Sequence, residues 1–225
     1  MLTKFRIGGA ILALVAVMGV TQARAASDQQ DLVDRARMTI DHLRTDKEFG
    51  NSPELLRNAK AIMVVPSLVK GGFFVGGEGG QAVLLTKNAA GVWSYPAFYT
   101  MASASFGLQI GMETAELVLF LQSDKAVKAF MQDQVTLGGQ AGLAVVTLGS
   151  TASAGTTTNA RADIIAWSSA TGAYAGLTLN GTVIKPRDSY NRAYYGKPET
   201  PRSIMMSHGI RNNGADSLRN SLAMR

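Results

Sequence analysis

Six glycines fall within ten residues, Gly71-Gly72-Phe73-Phe74-Val75-Gly76-Gly77-Glu78-Gly79-Gly80, between the apolar runs Ile62-Met63-Val64-Val65 and Val83-Leu84-Leu85. Glycines at that density inside extended segments mark bends or bulges, so this stretch calls for a strongly curved sheet. The run Ile62–Val65 is apolar at every position and reads as a strand buried on both faces. Leu117-Val118-Leu119-Phe120-Leu121 reads the same way. A sheet buried on both faces needs covering elements on each side.

The rest of the chain supplies candidates for that cover. Ser27 with Gln30 forms a capping-box pattern ahead of Leu32, Val33, Ala36, Ile40 and Leu43. Those five residues fall within an arc of roughly 100° at helical spacing. Ser52-Pro53-Glu54 starts a second helix, ending near Asn58. Lys87 to Gly91 reads as a turn, followed by extended Val92-Trp93-Ser94-Tyr95. Phe106 to Met112 alternates large apolar residues with Gly or Gln and is predicted as one strand, with Gly107 and Gly111 approached closely by other backbone. Ser123 and Asp124 can cap a helix carrying Ala126, Val127, Phe130 and Met131. Strands are predicted around Leu143–Leu148 and Ile164–Trp167, and a hairpin joins Ala173–Leu179 to Thr182–Lys185 at Asn180-Gly181. Ser150 to Asn159 is a loop without periodicity. Beyond a helix at Asp188–Tyr195, residues 197–225 read as a basic, weakly ordered tail. The fold class is α+β: N-terminal helices, then a curved, largely antiparallel sheet with one inserted helix.

The first residues address the chain rather than fold it. Lys4 and Arg6 precede an uncharged apolar run from Ile7 to Val20, and Ala23-Arg24-Ala25 follows. This is the pattern of a secretory signal peptide, with cleavage expected after Ala25. The run is too short for a spanning helix of about 20 residues. A signal peptide at 1–25, a domain at 26–196 and the tail at 197–225 make up the expected organisation. The product is expected to be periplasmic or secreted and peripherally membrane-associated. The chain has no cysteine, which excludes disulfides and thiolate metal sites.

Charge is unevenly placed. Residues 26–184 hold 11 basic and 13 acidic side chains, a net −2, whereas residues 185–225 hold 8 and 3, a net +5. A near-neutral body with a basic end fits contact with an anionic surface. Nucleic acid is not expected as a partner, since no basic run accompanies the export signal.

Catalytic patterns are weak. The two histidines, His42 and His208, have no sequence-local partner that would complete a nucleophile–base–orienter set. No metal-ligand spacing is present, and no cofactor is called for. Gly77-Glu78-Gly79 with Ala82 imitates a dinucleotide fingerprint, but a strand follows where the phosphate site needs a helix N-terminus. Glu78, Glu113, Glu116 and Asp163 lie in or beside apolar strands, where exposed acids on a wet face are commonplace.

Ala59-Lys60-Ala61-Ile62-Met63-Val64-Val65-Pro66-Ser67, followed by Lys70 to Gly80, resembles the opening of a SYLF domain. Ser105-Phe106-Gly107-Leu108-Gln109-Ile110-Gly111 is similar to that family's central signature. Asp163-Ile164-Ile165 and Gly176-Leu177-Thr178-Leu179-Asn180-Gly181-Thr182 resemble its closing strands. The resemblance covers roughly Leu32 to Lys185. It implies a non-enzymatic lipid-binding module; eukaryotic members are linked to phosphoinositides and fungal ones to actin through a basic N-terminal region. In an exported chain the expectation reduces to anionic phospholipid in general. The implied contacts are Arg35, Arg37, Arg44 and Lys47 on the first helix, diluted by Asp34, Asp41 and Asp46. A second, basic rim comprises Lys70, Lys185, Arg187 and Arg192. The first helix is expected to pack its apolar stripe on the sheet rather than lie in the interface. The competing function is a structural or stress-related periplasmic protein that binds an envelope protein. An outer-membrane barrel is disfavoured by the helix signals and few aromatics.

Overall fold

The computed structural model describes residues 10–46, 52–72, 75–106, 111–138, 142–148, 162–169, 179–207 and 209–223. Eight strands form one sheet in the order β5-β8-β3-β2-β1-β4-β7-β6. They are β1 (Ala61–Gly72), β2 (Val75–Thr86), β3 (Ala97–Phe106), β4 (Gly111–Leu121), β5 (Val135–Thr136), β6 (Val145–Leu148), β7 (Ile164–Ser168) and β8 (Val183–Pro186). Every pairing is antiparallel except β6 with β7. The α+β class and the mainly antiparallel sheet match the sequence expectation.

Both faces of the sheet are covered, which accounts for the uninterrupted apolar runs. On one face Met63, Val65, Leu84, Tyr99, Met101, Leu117 and Leu119 pack with Phe130 of α3 (Asp124–Phe130). On the other, Ile62, Val64, Val83, Phe98, Val118, Phe120 and Trp167 pack against α1 (Ala10–Thr45) and α2 (Ser52–Asn58). The α1 stripe Leu32, Val33, Ala36, Ile40 and Leu43 is fully buried there, so it packs on the sheet as expected. The α1 backbone is helical straight through Ser27. The expected cap position is therefore interior, because the preceding apolar run is itself helical.

Curvature enters at a bulge. Val64 pairs with Val83 but Ser67 pairs with Gln81, so two β1 residues oppose one on β2. Pro66, which has no N–H for a ladder bond, occupies the bulge. Just beyond it, opposite Leu68, a Cβ on Gly80 would lie 2.7 Å from Val65 Cγ1 and 2.8 Å from the Ser67 carbonyl oxygen. Close backbone approach thus fixes one glycine of the block. The approach predicted at Gly107 and around the Gly111 side lies outside the described residues.

Two expectations are revised, on the central strand and on the C-terminus. Phe106 and Gly111 do not share a strand: Phe106 ends β3 opposite Val75, and Gly111 begins β4 opposite Gly72, with 107–110 outside the described residues. Of the predicted hairpin, the turn is present, with Gly181 at φ +81°, and β8 follows it. Residues 173–178 and the loop 150–159 lie outside the described set. The larger revision concerns the C-terminus. After α4 (Asp188–Tyr195), the chain forms α5 (Pro201–Met206), a 3-10 turn at Asn213–Ala215 and α6 (Asp216–Leu222). Ile204, Met205 and Ile210 join the core of one face, and Ala215, Leu218 and Leu222 that of the other. The sparse apolar residues of this segment are placed to be buried, so overall hydrophobic density misread it as a tail.

Candidate functional site

A cleft of about 1060 Å³ opens where β1 begins and β2 ends. Its walls are the α2–β1 junction, the β2–β3 turn with Trp93 and Tyr95, helix α3, and the C-terminal segment from Arg202 to Arg219. Local chemistry fixes each wall. Ser123 caps α3 by accepting from Ala126 N at 3.1 Å. Thr200 and Ser203 form a reciprocal capping box on α5, with Pro201 at the first turn. The C-terminal wall is tied to the turn by Trp93 Nε1 donating to the Leu222 carbonyl at 3.2 Å and Thr86 Oγ1 donating to Met205 O at 3.0 Å.

Six cations line the cleft, Lys60, Lys87, Lys128, Arg202, Arg211 and Arg219, against one carboxylate, Asp124. Three of the six are committed within the fold. Lys60 pairs with Asp124 at 2.8 Å, and that bond holds the Asp124 carboxyl below its usual range. Lys87 donates to the Leu56 and Arg57 carbonyls at 3.0 and 2.6 Å, closing the C-terminal end of α2 while its ammonium lies 5.1 Å from the Trp93 ring centroid. Burial pushes the Lys87 ammonium below its ordinary pKa. Arg219 pairs with Asp216 at 3.0 Å and lies 4.1 Å over the Tyr95 ring. The Tyr95 phenol is raised, first by desolvation and then by its bond to Asp216. Lys128, Arg202 and Arg211 form no ion pair among the described residues. Beside them, Met206 is 65% exposed and Val92 50%.

The eight cations singled out from the sequence divide differently. Arg35 pairs with Asp31 at 3.1 Å and Arg37 with Asp41 at 2.5 Å, each one helical turn apart. Arg44 donates to the Ser221 carbonyl at 2.6 Å. Lys47 lies outside the described residues. Lys70 is 3.6 Å from Glu78, on adjacent strands, with only about a fifth of its side chain exposed. Lys185 projects from β8, Arg187 stacks 3.4 Å over Tyr190, and Arg192 is exposed on α4. Lys70 on β1 and Lys185 on β8 stand three strands apart in the sheet order, so these two rim residues are not neighbours. None of the seven described ones lines the cleft.

The acids are likewise separated. Glu78 faces Lys70. Glu116 receives the Thr39 hydroxyl at 2.6 Å and pairs with His42 Nδ1. His42 thus has a partner 74 residues away that no local pattern could show. The ring also meets Trp167 edge-on at 5.7 Å, and Trp167 Nε1 donates to Asp46 at 2.9 Å. This set ties α1 to β4; among the described residues no hydroxyl donates to the imidazole. His208 and the Glu113 side chain lie outside the described set. No metal-holding cluster occurs among the described residues, and no helix among them is long and apolar enough to cross a membrane.

The cleft cations escape sequence reading because they come from places scattered along the chain from Lys60 to Arg219. Only the C-terminal charge excess pointed towards three of them, Arg202, Arg211 and Arg219.

Comparison with known proteins places this arrangement. The family model described as Ysc84, Las17-binding protein actin regulator, matches residues 102–225, which include the C-terminal wall of the cleft. LAS seventeen-binding protein 3 of Saccharomyces cerevisiae is 29% identical over 195 residues, covering 84% of this chain and 42% of the relative. SH3 domain-containing YSC84-like protein 1 of Mus musculus is 32% identical over 142 residues, 63% of this chain and 42% of the relative. The corresponding Xenopus laevis protein is 31% identical over 148 residues, 65% and 44%. The chain thus spans less than half the length of these relatives. No solved structure matches it.

Proposed function

The chain belongs to the Ysc84 family, the family of SYLF domains, and on that premise we propose that it is a non-enzymatic envelope module that binds anionic phospholipid surfaces. One observation carries the reading: Lys128, Arg202 and Arg211, which form no ion pair among the described residues, line one cleft together with exposed Met206 and Val92. Cations next to exposed apolar side chains suit a headgroup layer, where each basic residue near the surface contributes about 1 kcal/mol. Lys185 and Arg192, also exposed and without ion pairs among the described residues, add to the field. The export signal at residues 1–25, cleaved after Ala25, delivers the module to the periplasmic side of a membrane or beyond.

The names of the relatives favour a second reading, in which the module holds a protein partner, because LAS seventeen-binding protein 3 is named for one. Vesicle flotation separates the two. The purified chain is expected to float with vesicles rich in phosphatidylglycerol or cardiolipin and to remain behind with phosphatidylcholine. Salt should release it as the Debye length falls from about 10 Å at 0.1 M to about 3 Å at 1 M. Equal flotation with neutral and anionic vesicles, or none with either, removes the lipid reading and leaves the protein-partner one.

A further inference from the structure

We propose that the cleft is a seat for one phosphate ester carrying an apolar chain, a single anionic lipid molecule rather than only a charged surface. The proposal rests on the lipid reading above and names the site and the class of ligand.

The charge pattern selects the head. Lys and Arg side chains offer donors and no acceptors, so their ligand must be rich in acceptors and negatively charged. Three cations with no ion pair among the described residues, Lys128 on α3, Arg202 on α5 and Arg211 before the 3-10 turn, line one cavity whose carboxylate, Asp124, is already bound to Lys60. A phosphate ester, with several oxygens and up to two charges, uses such a set more fully than a carboxylate does. Arg is also suited to phosphate by its planar fork of donors.

The apolar lining selects the tail. Met206 is exposed on a six-residue helix while its neighbours Ile204 and Met205 are buried, so it is not needed by the core. Met131, half-buried, and Val92 face the same space. Methionine accommodates ligands of irregular shape because its side chain is unbranched and polarizable. A volume of about 1060 Å³ far exceeds what an inorganic ion fills and matches the upper range of small-molecule sites.

A nucleotide fits less well. Its base would need an open aromatic face, and both aromatic rings of the cleft are already engaged by cations, Trp93 by Lys87 and Tyr95 by Arg219.

Isothermal titration of the purified chain with dihexanoyl phosphatidic acid below its micelle concentration tests this. Dihexanoyl phosphatidylcholine and inorganic phosphate serve as the other two probes. The phosphatidic acid is expected to bind at least tenfold more tightly than either. The triple variant Lys128→Gln, Arg202→Gln, Arg211→Gln should lose at least tenfold in that affinity with an unchanged circular dichroism spectrum. Met206→Ser should weaken the lipid and leave phosphate unaffected. Equal affinity for phosphate and phosphatidic acid would assign the site to soluble phosphate compounds and overturn the proposal. So would full binding by the triple variant, or no binding of the monomeric lipid at all. If monomeric lipid fails while anionic vesicles still float the chain, the surface reading survives without the cleft; if both fail, both are lost.

Discussion

Three arginines of helix α1 and three cations of the cleft are put to different uses. On α1, Arg35 and Arg37 are matched to Asp31 and Asp41, and Arg44 is bound to the Ser221 carbonyl of the C-terminal helix. Around the cleft, Lys128, Arg202 and Arg211 form no ion pair among the described residues; the carboxylate there, Asp124, is bound to Lys60 and adds only a weaker attraction to Lys128. The lesson is that basic residue count does not locate positive potential. The arrangement of partners does. Charges answered within the fold should register in stability, and unanswered ones in binding.

The largest expected effect tests whether the C-terminal segment belongs to the fold at all. Ending the chain before Pro198 removes Ile204, Met205, Ile210, Leu218 and Leu222, all buried. Burying each such side chain contributes about 1.5–3 kcal/mol, so their sum rivals the whole stability of a domain, about 5–15 kcal/mol. The truncated chain is expected to lose its cooperative thermal transition in circular dichroism. A melting curve like that of the full chain would restore the segment to the status of a tail and dissolve the cleft's fourth wall.

The second effect puts the two cation sets in direct opposition. Neutralising Lys128, Arg202 and Arg211 together should remove about 3 kcal/mol of surface attraction, which corresponds to roughly a hundredfold loss in vesicle binding. Replacing Arg35, Arg37 and Arg44 by Gln should change vesicle binding less than about threefold, because Arg35 and Arg37 are paired with carboxylates and Arg44 is held against the Ser221 carbonyl. The same α1 variant should lower the melting temperature, chiefly through the lost bond to Ser221. Reversed outcomes would move the membrane-facing surface to α1.

A smaller effect concerns Lys87, the cleft cation most deeply committed to the fold. Its two bonds to the end of α2 satisfy carbonyls that the helix itself leaves open. Lys87→Ala should cost about 1–3 kcal/mol, in the range for hydrogen bonds involving a charged group. Denaturant melts give the stability, while monomeric lipid affinity should change little. A variant with normal stability and lost binding would reassign Lys87 to the ligand.

Much of the fold was legible from local pattern. The runs Ile62–Val65 and Leu117–Leu121, the cap at Ser123 and the helix at Asp188–Tyr195 each declare themselves within a few residues. The turn at Asn180-Gly181 does so too. What was not legible depended on distant partners. His42 meets Glu116 across 74 residues, and Phe106 parts from Gly111 because β2 and β1 intervene in the sheet order. Residues 201–222 carry too few apolar side chains for a periodic signal, yet nearly all of those few are buried. The cleft combined both difficulties: its residues are scattered, and whether each cation is free or paired is set only by the folded neighbourhood.

The smallest effect sharpens the comparison from the acidic side. Asp163 is a charge answered within the fold: its Oδ1 accepts from Ser123 Oγ at 2.5 Å and its Oδ2 from Ala144 N at 3.0 Å. These bonds, the Ser123 one first, hold its carboxyl below the usual carboxylate range. Because the folded-state value is depressed, the unfolded chain takes up the proton first as pH falls. The stabilisation is therefore complete above the unfolded value of about 4 and is lost as pH drops through the lower, folded one. The side chain is partly exposed, so solvent screening keeps the pH-dependent part below about 1 kcal/mol. Asp124 and Glu199 are depressed as well and titrate in the same window, so the useful quantity is the difference between two proteins. The stability gap between the parent chain and Asp163→Asn, from urea melts, should be constant between pH 5 and 7, at about 1 kcal/mol for the impaired bond to Ala144. It should narrow between about pH 4 and pH 2.5, while vesicle binding at pH 7 stays equal in the two. A gap that persists undiminished at pH 2.5 would show that Ser123 and Ala144 do not favour the ionised carboxylate.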